Sequence, residues 1–238
     1  MGVQGLTDRR KVSESLVALT GPTFAIRQGI MRTSLFVAAA LAAVSLTTAC
    51  NHSAVVKRPT DAKLDAAYTT MWVRDLHAHV QDGDIVLRRG YAVLSDIILL
   101  VTPGAPMSHA AIYDAATDHF IDAVSSGVRE VTAEQFLGAS HRWMIVRPNL
   151  PAAERHAAVA RARAALGTGF DFSGFVGLDN ADRFYCSELV AWALGVRDTV
   201  YADDILVTPA ELEEVGPTIY ASADRGDLPT AQVDPYWQ

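Results

Sequence analysis

Cysteine is scarce in this chain of 238 residues, because only Cys50 and Cys186 are present. No Cys-x-x-Cys pair of the kind that holds structural zinc can therefore form. Positive charge is also in the minority, since 20 Lys and Arg stand against 27 Asp and Glu and leave a net charge of −7. A nucleic-acid-binding protein would need a basic face, so we expect no nucleic-acid partner.

Several familiar motifs are missing from the sequence as well. We find no Gly-x-Ser-x-Gly turn of serine hydrolases, no phosphate-binding loop, no dinucleotide fingerprint and no internal repeat. His77 and His79 lie close together, but their spacing suits the wet end of a helix as well as a metal. We therefore predict no metal site and no cofactor.

The N-terminus carries an apolar run that is too short to span a bilayer comfortably. Met31 and Arg32 precede this run, and small residues ending at Cys50 follow it. The pattern resembles a bacterial lipoprotein signal with a loose cleavage box before the cysteine. We interpret residues 1–30 as a wrongly assigned extension, 31–49 as a signal peptide and Cys50 as the lipidated residue. A membrane anchor, or a signal cut elsewhere, is the alternative.

Lipidation of Cys50 would tie the protein to a membrane and leave Cys186 as the only thiol of the mature chain. No disulfide could then form within that chain, and a lone thiol in an oxidising compartment is a liability unless it is buried or useful. Asn51 follows the cysteine, where an Asp would retain an enteric-type lipoprotein at the inner membrane. We expect a lipid-anchored protein of the bacterial cell envelope, at the outer membrane and facing the periplasm.

The rest of the chain alternates helical patterns with short runs typical of strands. Apolar spacing by threes and fours predicts a helix from Thr60, an alanine-rich run predicts another from Pro151, and residues 91–101 are also expected to be helical. Short apolar runs bounded by turn residues predict strands at 85–87, 107–114, 119–124, 128–131 and 143–148. The pattern indicates the α+β class with a mostly antiparallel sheet.

Composition divides the mature chain into three parts. Residues 50–60 are a short polar tether, and residues 61–215 carry the predicted helices and strands of one domain. Residues 216–238 are rich in Gly, Pro and Asp, and we predict that they form a weakly ordered tail.

The segment FYCSELVAWALG at 184–195 is the most informative stretch. Its apolar residues predict a helix that starts at Cys186 and stops at Gly195. Unpaired N–H groups and the positive end of the helix dipole at this start favour a thiolate, which is a strong nucleophile. The plainer interpretation is that Cys186 is a small buried hydrophobic residue.

A thiolate nucleophile needs a base close by and a group that orients the base. Of the seven histidines, His109 stands out because it begins an apolar strand directly after a Gly/Pro-rich loop. A histidine at a strand start can point into a cleft, although a structural histidine is the alternative.

Six stretches of the chain together resemble one known family. They are GDIVLRRG (83–90), SHAAIYD (108–114), FIDAVSSGV (120–128), GTGFDFSGF (167–175), FYCSELV (184–190) and VTPAEL (207–212). In this order they resemble the permuted papain-fold amidases of the YaeF/YiiX type, within the NlpC/P60 superfamily. The resemblance covers roughly residues 80–215. It implies a circularly permuted papain-like fold, with a small antiparallel sheet or barrel packed with helices.

The resemblance also implies roles for particular side chains. Cys186 matches the family's nucleophile and His109 its catalytic histidine, which precedes the cysteine in the permuted order. Asp122 matches the polar third member, where relatives commonly carry Glu, and Asp171 or a backbone carbonyl is the alternative. The backbone N–H of Cys186 would donate to the oxyanion, and Tyr185 would flank the cleft or pack in the core.

These residues predict a cysteine-dependent amide hydrolase of the cell envelope, an amidase or peptidase with cell-wall peptides as one candidate substrate. The first alternative is a lipid acyl esterase or acyltransferase that uses the same Cys–His pair, which the apolar stretch 91–106 and the membrane tether allow. The second is a non-catalytic lipoprotein that binds a peptide or glycan, with Cys186 buried. The expected partners are therefore a membrane and a peptide, amide or acyl-ester substrate.

Overall fold

The structure is a computed structural model that describes residues 52–102, 106–174, 180, 182–197, 206–228 and 230–236. The predicted extension, the signal peptide and Cys50 lie outside the described residues. The helices are α1 (Ala62–His79), α2 (Val93–Val101), α3 (Ala133–Gly138), α4 (Ala152–Ala164), α5 (Cys186–Leu194) and α6 (Thr230–Val233). The strands are β1 (Ile85–Gly90), β2 (His109–Asp114), β3 (His119–Val124), β4 (Gly127–Thr132), β5 (Ser140–Val146), β6 (Gly169–Phe170), β7 (Arg183–Phe184) and β8 (Thr218–Ala221). Short 3₁₀ helices cover Glu211–Val215 and Asp234–Tyr236.

An antiparallel sheet with the strand order β4-β3-β2-β1-β5-β8 forms the centre of the domain. β3 and β4 form a hairpin, in which Val124 lies opposite Gly127. β1 is a central strand, and its Arg88 lies opposite His109 of β2. A separate parallel pair joins β6 to β7 directly before α5. The predicted α+β class with an antiparallel sheet is confirmed.

Helices cover both faces of this sheet. α4 and α5 pack on one face, where Leu87 and Ile112 contribute to the core. α1 and α3 pack on the other face, around Trp72, Phe136 and Trp143. Because successive residues of a strand point to opposite faces, a sheet covered on both sides needs apolar residues at nearly every position. This explains why every residue of β2 is buried and why the strands form short continuous apolar runs in the sequence.

The helix ends follow ordinary capping chemistry. α1 begins after Asp61, one residue later than predicted, because the Asp61 side chain accepts hydrogen bonds from the N–H groups of Lys63 and Leu64. α3 begins with a reciprocal capping box between Thr132 and Gln135.

The prediction of a weakly ordered tail from residue 216 is wrong for its described residues. β8 pairs with β5 at the edge of the sheet, and Tyr220 stacks on Trp143 with the ring centroids 4.7 Å apart. Arg225 is buried and donates to the carbonyls of Ser140 and Leu137 at 3.0 and 2.8 Å. Pairing and burial outweigh the Gly, Pro and Asp content that suggested disorder.

The described part of the tether also contacts the domain. The Ser53 hydroxyl donates to the Asp96 carboxylate of α2 at 2.7 Å, and the N–H of Ala54 donates to it at 2.8 Å. The N–H of Ser53 donates to the carbonyl of Tyr91 at 2.6 Å. These bonds hold residues 53 and 54 against the start of α2.

Candidate active site

Helix α5 carries Cys186 at its first position. It ends at Gly195, which adopts the left-handed conformation with φ of 75°. Leu189 and Val190 are fully buried and form part of the core between α5 and the sheet. This packing fixes the start of the helix beside the sheet. Cys186 is a buried free thiol there.

His109 begins β2, and Asp122 lies on the neighbouring strand β3. Nε2 of His109 is 2.8 Å from Oδ2 of Asp122, whose side chain is fully buried. Nε of Arg129 donates to the other carboxylate oxygen at 2.9 Å. Burial favours a higher pKa for Asp122, but His109 and Arg129 outweigh it and lower the pKa to about 2. Asp122 is therefore ionised near neutral pH, and its shorter side chain reaches the imidazole.

Cys186 lies beside His109, close enough for each group to influence the ionisation of the other. Because Asp122 occupies Nε2, the ring nitrogen that remains for the sulfur is Nδ1. Burial opposes ionisation of the thiol, but the charge and hydrogen bond of His109 and the N–H of Ala110 lower the pKa of Cys186. Burial likewise opposes protonation of His109, but the thiolate and Asp122 raise its pKa, with Arg88 acting against them. The two directions together favour a thiolate–imidazolium pair.

Two other residues singled out from the sequence have different surroundings. Tyr185 is buried in the core, where its hydroxyl accepts a hydrogen bond from the N–H of Val207 at 2.9 Å. Asp171 accepts a hydrogen bond from the N–H of Gly174 at 3.0 Å and so organises the loop after β6. The structure brings Asp122 to His109, whereas Asp171 binds its own loop.

Arg88 lies beside the Cys–His pair and was not found by sequence analysis. It lies opposite His109 on β1, and its Nη1 donates to the carbonyl of Ala139 at 2.8 Å. Its guanidinium lies 4.8 Å from the ring centroid of Phe136, and the His109 ring lies 5.9 Å from the same ring. Burial lowers the pKa of Arg88, while Asp122 and Cys186 act in the opposite direction. The period of two in β1 is the only sequence signal that separates Arg88 from Arg89.

The backbone around Cys186 can also stabilise negative charge. As the first residue of α5, Cys186 has an N–H with no acceptor inside the helix. The N–H of Tyr185 is already bonded to the Glu188 carboxylate at 3.4 Å. Among the described residues no acceptor binds the N–H of Cys186, and a donor next to the sulfur is what an oxyanion needs.

Within the described ranges, no helix has the length and apolar character needed to cross a bilayer. In that same part of the chain, no three His, Cys, Asp or Glu side chains are grouped so that they could hold a metal ion.

A sheet covered by helices, with a cysteine at a helix start beside a strand-borne histidine, defines the class of papain-like cysteine enzymes. Here the histidine precedes the cysteine, as in the permuted members of that class. The model of the permuted papain-like amidase enzymes, YaeF/YiiX, C92 family, matches residues 79–228, which is more than half of the chain. The chain therefore belongs to this family of papain-like cysteine amidases. A search among curated proteins finds no match.

Proposed function

We propose that the protein is a cysteine-dependent amide hydrolase in which Cys186 is the nucleophile and His109 the base. Asp122 is proposed as the residue that positions His109. The observation that carries this proposal is the position of Cys186 beside His109, whose imidazole lies 2.8 Å from a buried carboxylate. Three side chains from three separate elements would not share one buried cluster if Cys186 were only a packing residue.

In the first half of the reaction, the Cys186 thiolate attacks the carbonyl carbon of the amide. A sulfur–carbon bond forms, and the carbonyl oxygen takes the negative charge beside the backbone N–H of Cys186. When this tetrahedral intermediate collapses, the carbon–nitrogen bond breaks. The leaving amine takes its proton from the His109 imidazolium. The product is a thioester on Cys186, with a neutral His109.

In the second half, water attacks the thioester and gives one proton to His109. The carbon–sulfur bond breaks, the acid product leaves, and the thiolate–imidazolium pair is restored. Asp122 holds Nε2 of His109 throughout, so that Nδ1 stays directed at the reacting atoms. Its negative charge stabilises the imidazolium that exists at the beginning and the end of the cycle.

The cellular setting is part of the same proposal. Lipidation of Cys50 would anchor the enzyme in the bacterial cell envelope, at the outer membrane and facing the periplasm. Amide bonds of cell-wall peptides are the substrate that this location and the family's activity favour. Growth with a radioactive or clickable fatty acid, followed by a comparison with Cys50→Ala, tests the anchor.

A second candidate reaction is acyl transfer from a lipid ester by the same Cys–His pair. The apolar helix α2 favours it, because Leu100 is 83% exposed and Val55 of the adjacent segment is 74% exposed. Incubation with a phospholipid and a separate amine acceptor distinguishes the two reactions. Release of free fatty acid or an acylated acceptor would support the lipid reaction, and cleavage of peptides alone would support amide hydrolysis.

The test of the proposed function is the labelling rate of Cys186 with iodoacetamide across pH. A Cys50→Ala background leaves Cys186 as the only thiol. We expect fast labelling well below pH 8 and a large loss of that rate in His109→Ala. His119→Ala serves as a matched control, because it removes a half-exposed histidine at the far end of the β2–β3 pairing.

An ordinary thiol profile that is indifferent to His109→Ala would contradict the hydrolase proposal and favour a binding lipoprotein. If labelling behaves as expected, the next assay measures hydrolysis of peptide amides and acyl esters by the same variants. Turnover that persists in Cys186→Ala would also overturn the proposal.

A further inference from the structure

A cavity of about 570 Å³ lies beside the site, between the segment 52–58, the end of β1 and the start of α2. We call it the α2 cavity. Its lining includes His52, Lys57, Arg58, Arg88, Tyr91 and Ala92. The mechanism above uses none of these residues.

The charge of the α2 cavity is opposite to that of the whole protein. The chain carries a net charge of −7, yet the lining contains no acidic residue and three Lys or Arg side chains. Arg58 is paired with Asp65 at 2.6 Å. Among the described residues, no carboxylate lies within ion-pair distance of Lys57 or Arg88. The negative groups that act on Arg88, Asp122 and Cys186, belong to the active site and do not line the cavity.

The α2 cavity also gathers polar groups that have no partner. The Tyr91 hydroxyl and Nε of Arg88 are buried and lack a hydrogen-bond partner among the described residues. Ala92 is the N-cap of α2 and offers no side-chain cap to the first N–H groups of the helix. A buried donor without an acceptor is costly, so the Tyr91 and Arg88 side chains would both gain if they turned towards an acceptor in the cavity.

The acidic residue of the first turn of α2 does not fill this need. Asp96 is bound to Arg89 and accepts hydrogen bonds from Ser53 and Ala54. It is not among the residues that line the cavity. Its charge is therefore compensated by Arg89. The start of α2, which has no side-chain cap, still faces the cavity.

Arg88 connects the α2 cavity to the Cys–His pair. It lies opposite His109 in the β1–β2 ladder, and Phe136 contacts both side chains. A side chain at Gly90 would meet Nη1 of Arg88 at 3.3 Å and Oγ of Ser95 at 2.8 Å. Glycine at this position thus allows the guanidinium and the start of α2 to lie close together.

We propose that the α2 cavity binds a carboxylate or phosphate group of the substrate, with Arg88 as its main ligand. The enzyme would then prefer acyl compounds that carry an anionic group close to the scissile bond. The Tyr91 hydroxyl and the first N–H groups of α2 would donate hydrogen bonds to the same carboxylate or phosphate group. The identity of the cleaved bond rests on the proposed function, whereas binding of the anion does not require turnover.

The test measures equilibrium binding to the full chain carrying Cys50→Ala and Cys186→Ala, which cannot turn over substrate. The probes are N-acetylglycine and its neutral carboxamide, together with N-acetylethanolamine and its phosphate ester. We expect each anionic probe to bind roughly 10- to 100-fold more tightly than its neutral partner, as a charged hydrogen bond would give. A carboxylate that binds better than the phosphate indicates a peptide-like substrate, and the reverse order indicates a lipid headgroup.

Substitutions then assign the preference to Arg88. Arg88→Gln should abolish the difference between anionic and neutral probes, and Arg88→Lys should retain part of it because the charge remains. Arg74→Gln is the matched control, since Arg74 is exposed and contacts Tyr236 outside the cavity. If Arg88→Gln does not fold, Lys57→Gln compared with the exposed Lys63→Gln gives the same test at the rim of the cavity.

Equal affinity for charged and neutral probes would overturn the proposal. A loss in Arg88→Gln that is the same for both probes would overturn it too, because Arg88 would then act only through packing. If Cys186 shows an ordinary thiol labelling profile but the anionic probes still bind more tightly, the result contradicts hydrolysis and supports the anion site.

Discussion

Replacing Asp122 by Asn should weaken the activation of Cys186 by an amount that the structure allows us to work out. The Asp122 carboxylate is fully buried and contacts His109 at 2.8 Å and Arg129 at 2.9 Å. These contacts lower its pKa from 3.8 to about 2. That difference corresponds to a net stabilisation of the charged form of roughly 2 kcal/mol. Because two cations share it, we assign about half, or roughly 1 kcal/mol, to the His109 imidazolium.

Asparagine keeps the size of Asp122 but carries no charge. Without the carboxylate, the thiolate–imidazolium form should be about fivefold less populated. The pKa of Cys186 should rise and the pKa of His109 should fall. At pH 6 we therefore expect iodoacetamide labelling to slow about fivefold, and above about pH 9 the rates should converge because the thiol then ionises without help from His109.

The assay compares labelling rates from pH 5 to pH 10 in the Cys50→Ala background. Arg129→Gln is the matched variant, because it removes the other cation from the same carboxylate. The Arg129 side chain is 45% exposed, so we expect its loss to change the rate only about two- to threefold. A profile of Asp122→Asn that overlies the unsubstituted protein would refute the reasoning. A uniform fall at every pH would refute it as well, and would point to a packing defect.

Three further predictions concern stability. Because folding lowers the pKa of Asp122 to about 2, its stabilisation is present above about pH 4 and is lost as the pH falls towards 2. Urea titrations should show that the unfolding free energy of Asp122→Asn does not decrease in this way between about pH 4 and pH 2. Arg225→Met should lower the unfolding free energy by about 3 to 5 kcal/mol, because buried carbonyls and Asp65 lose their donor. Unchanged urea midpoints would contradict that role. Gly83→Ala should cost at least about 1 to 3 kcal/mol, since Gly83 has φ of 74° and a Cβ there would lie 2.6 Å from Arg155. Thermal melts check the last prediction, with Gly138→Ala as a tolerant control.

The parts of the site that follow a local rule could be predicted from the sequence. The helix from Cys186 to Gly195 depends on its own apolar pattern and on a glycine that adopts a left-handed conformation, and both features lie in adjacent residues. The approach of Asp122 to His109 could not be derived from spacing alone. It depends on the register of β2 and β3, in which Asp122 lies opposite Ala111 and thus diagonal to the histidine. The family resemblance supplied this pairing.

The residues that sequence reasoning missed depend on long-range packing. Arg88 and Arg89 are adjacent and chemically identical, and only the finished fold directs one to Phe136 and the other to Asp96. The edge strand β8 has four residues in a segment rich in polar residues. Its order arises from β5 and from the Tyr220 contact with Trp143, and no local pattern encodes these partners.

The residues around Arg225 pack against the first helix, and this contact has a consequence for how the chain folds. Arg225 donates to Asp65 of the first helix at 2.8 Å and lies 4.4 Å from the ring centroid of Trp72. Contacts between such distant parts of a chain raise its contact order and slow its folding. The final structure cannot form until the residues around 225 have been synthesised. We therefore expect chains that stop before residue 216 to form a compact state in which Cys186 is not activated. The reactive cysteine would then be present only in completed molecules.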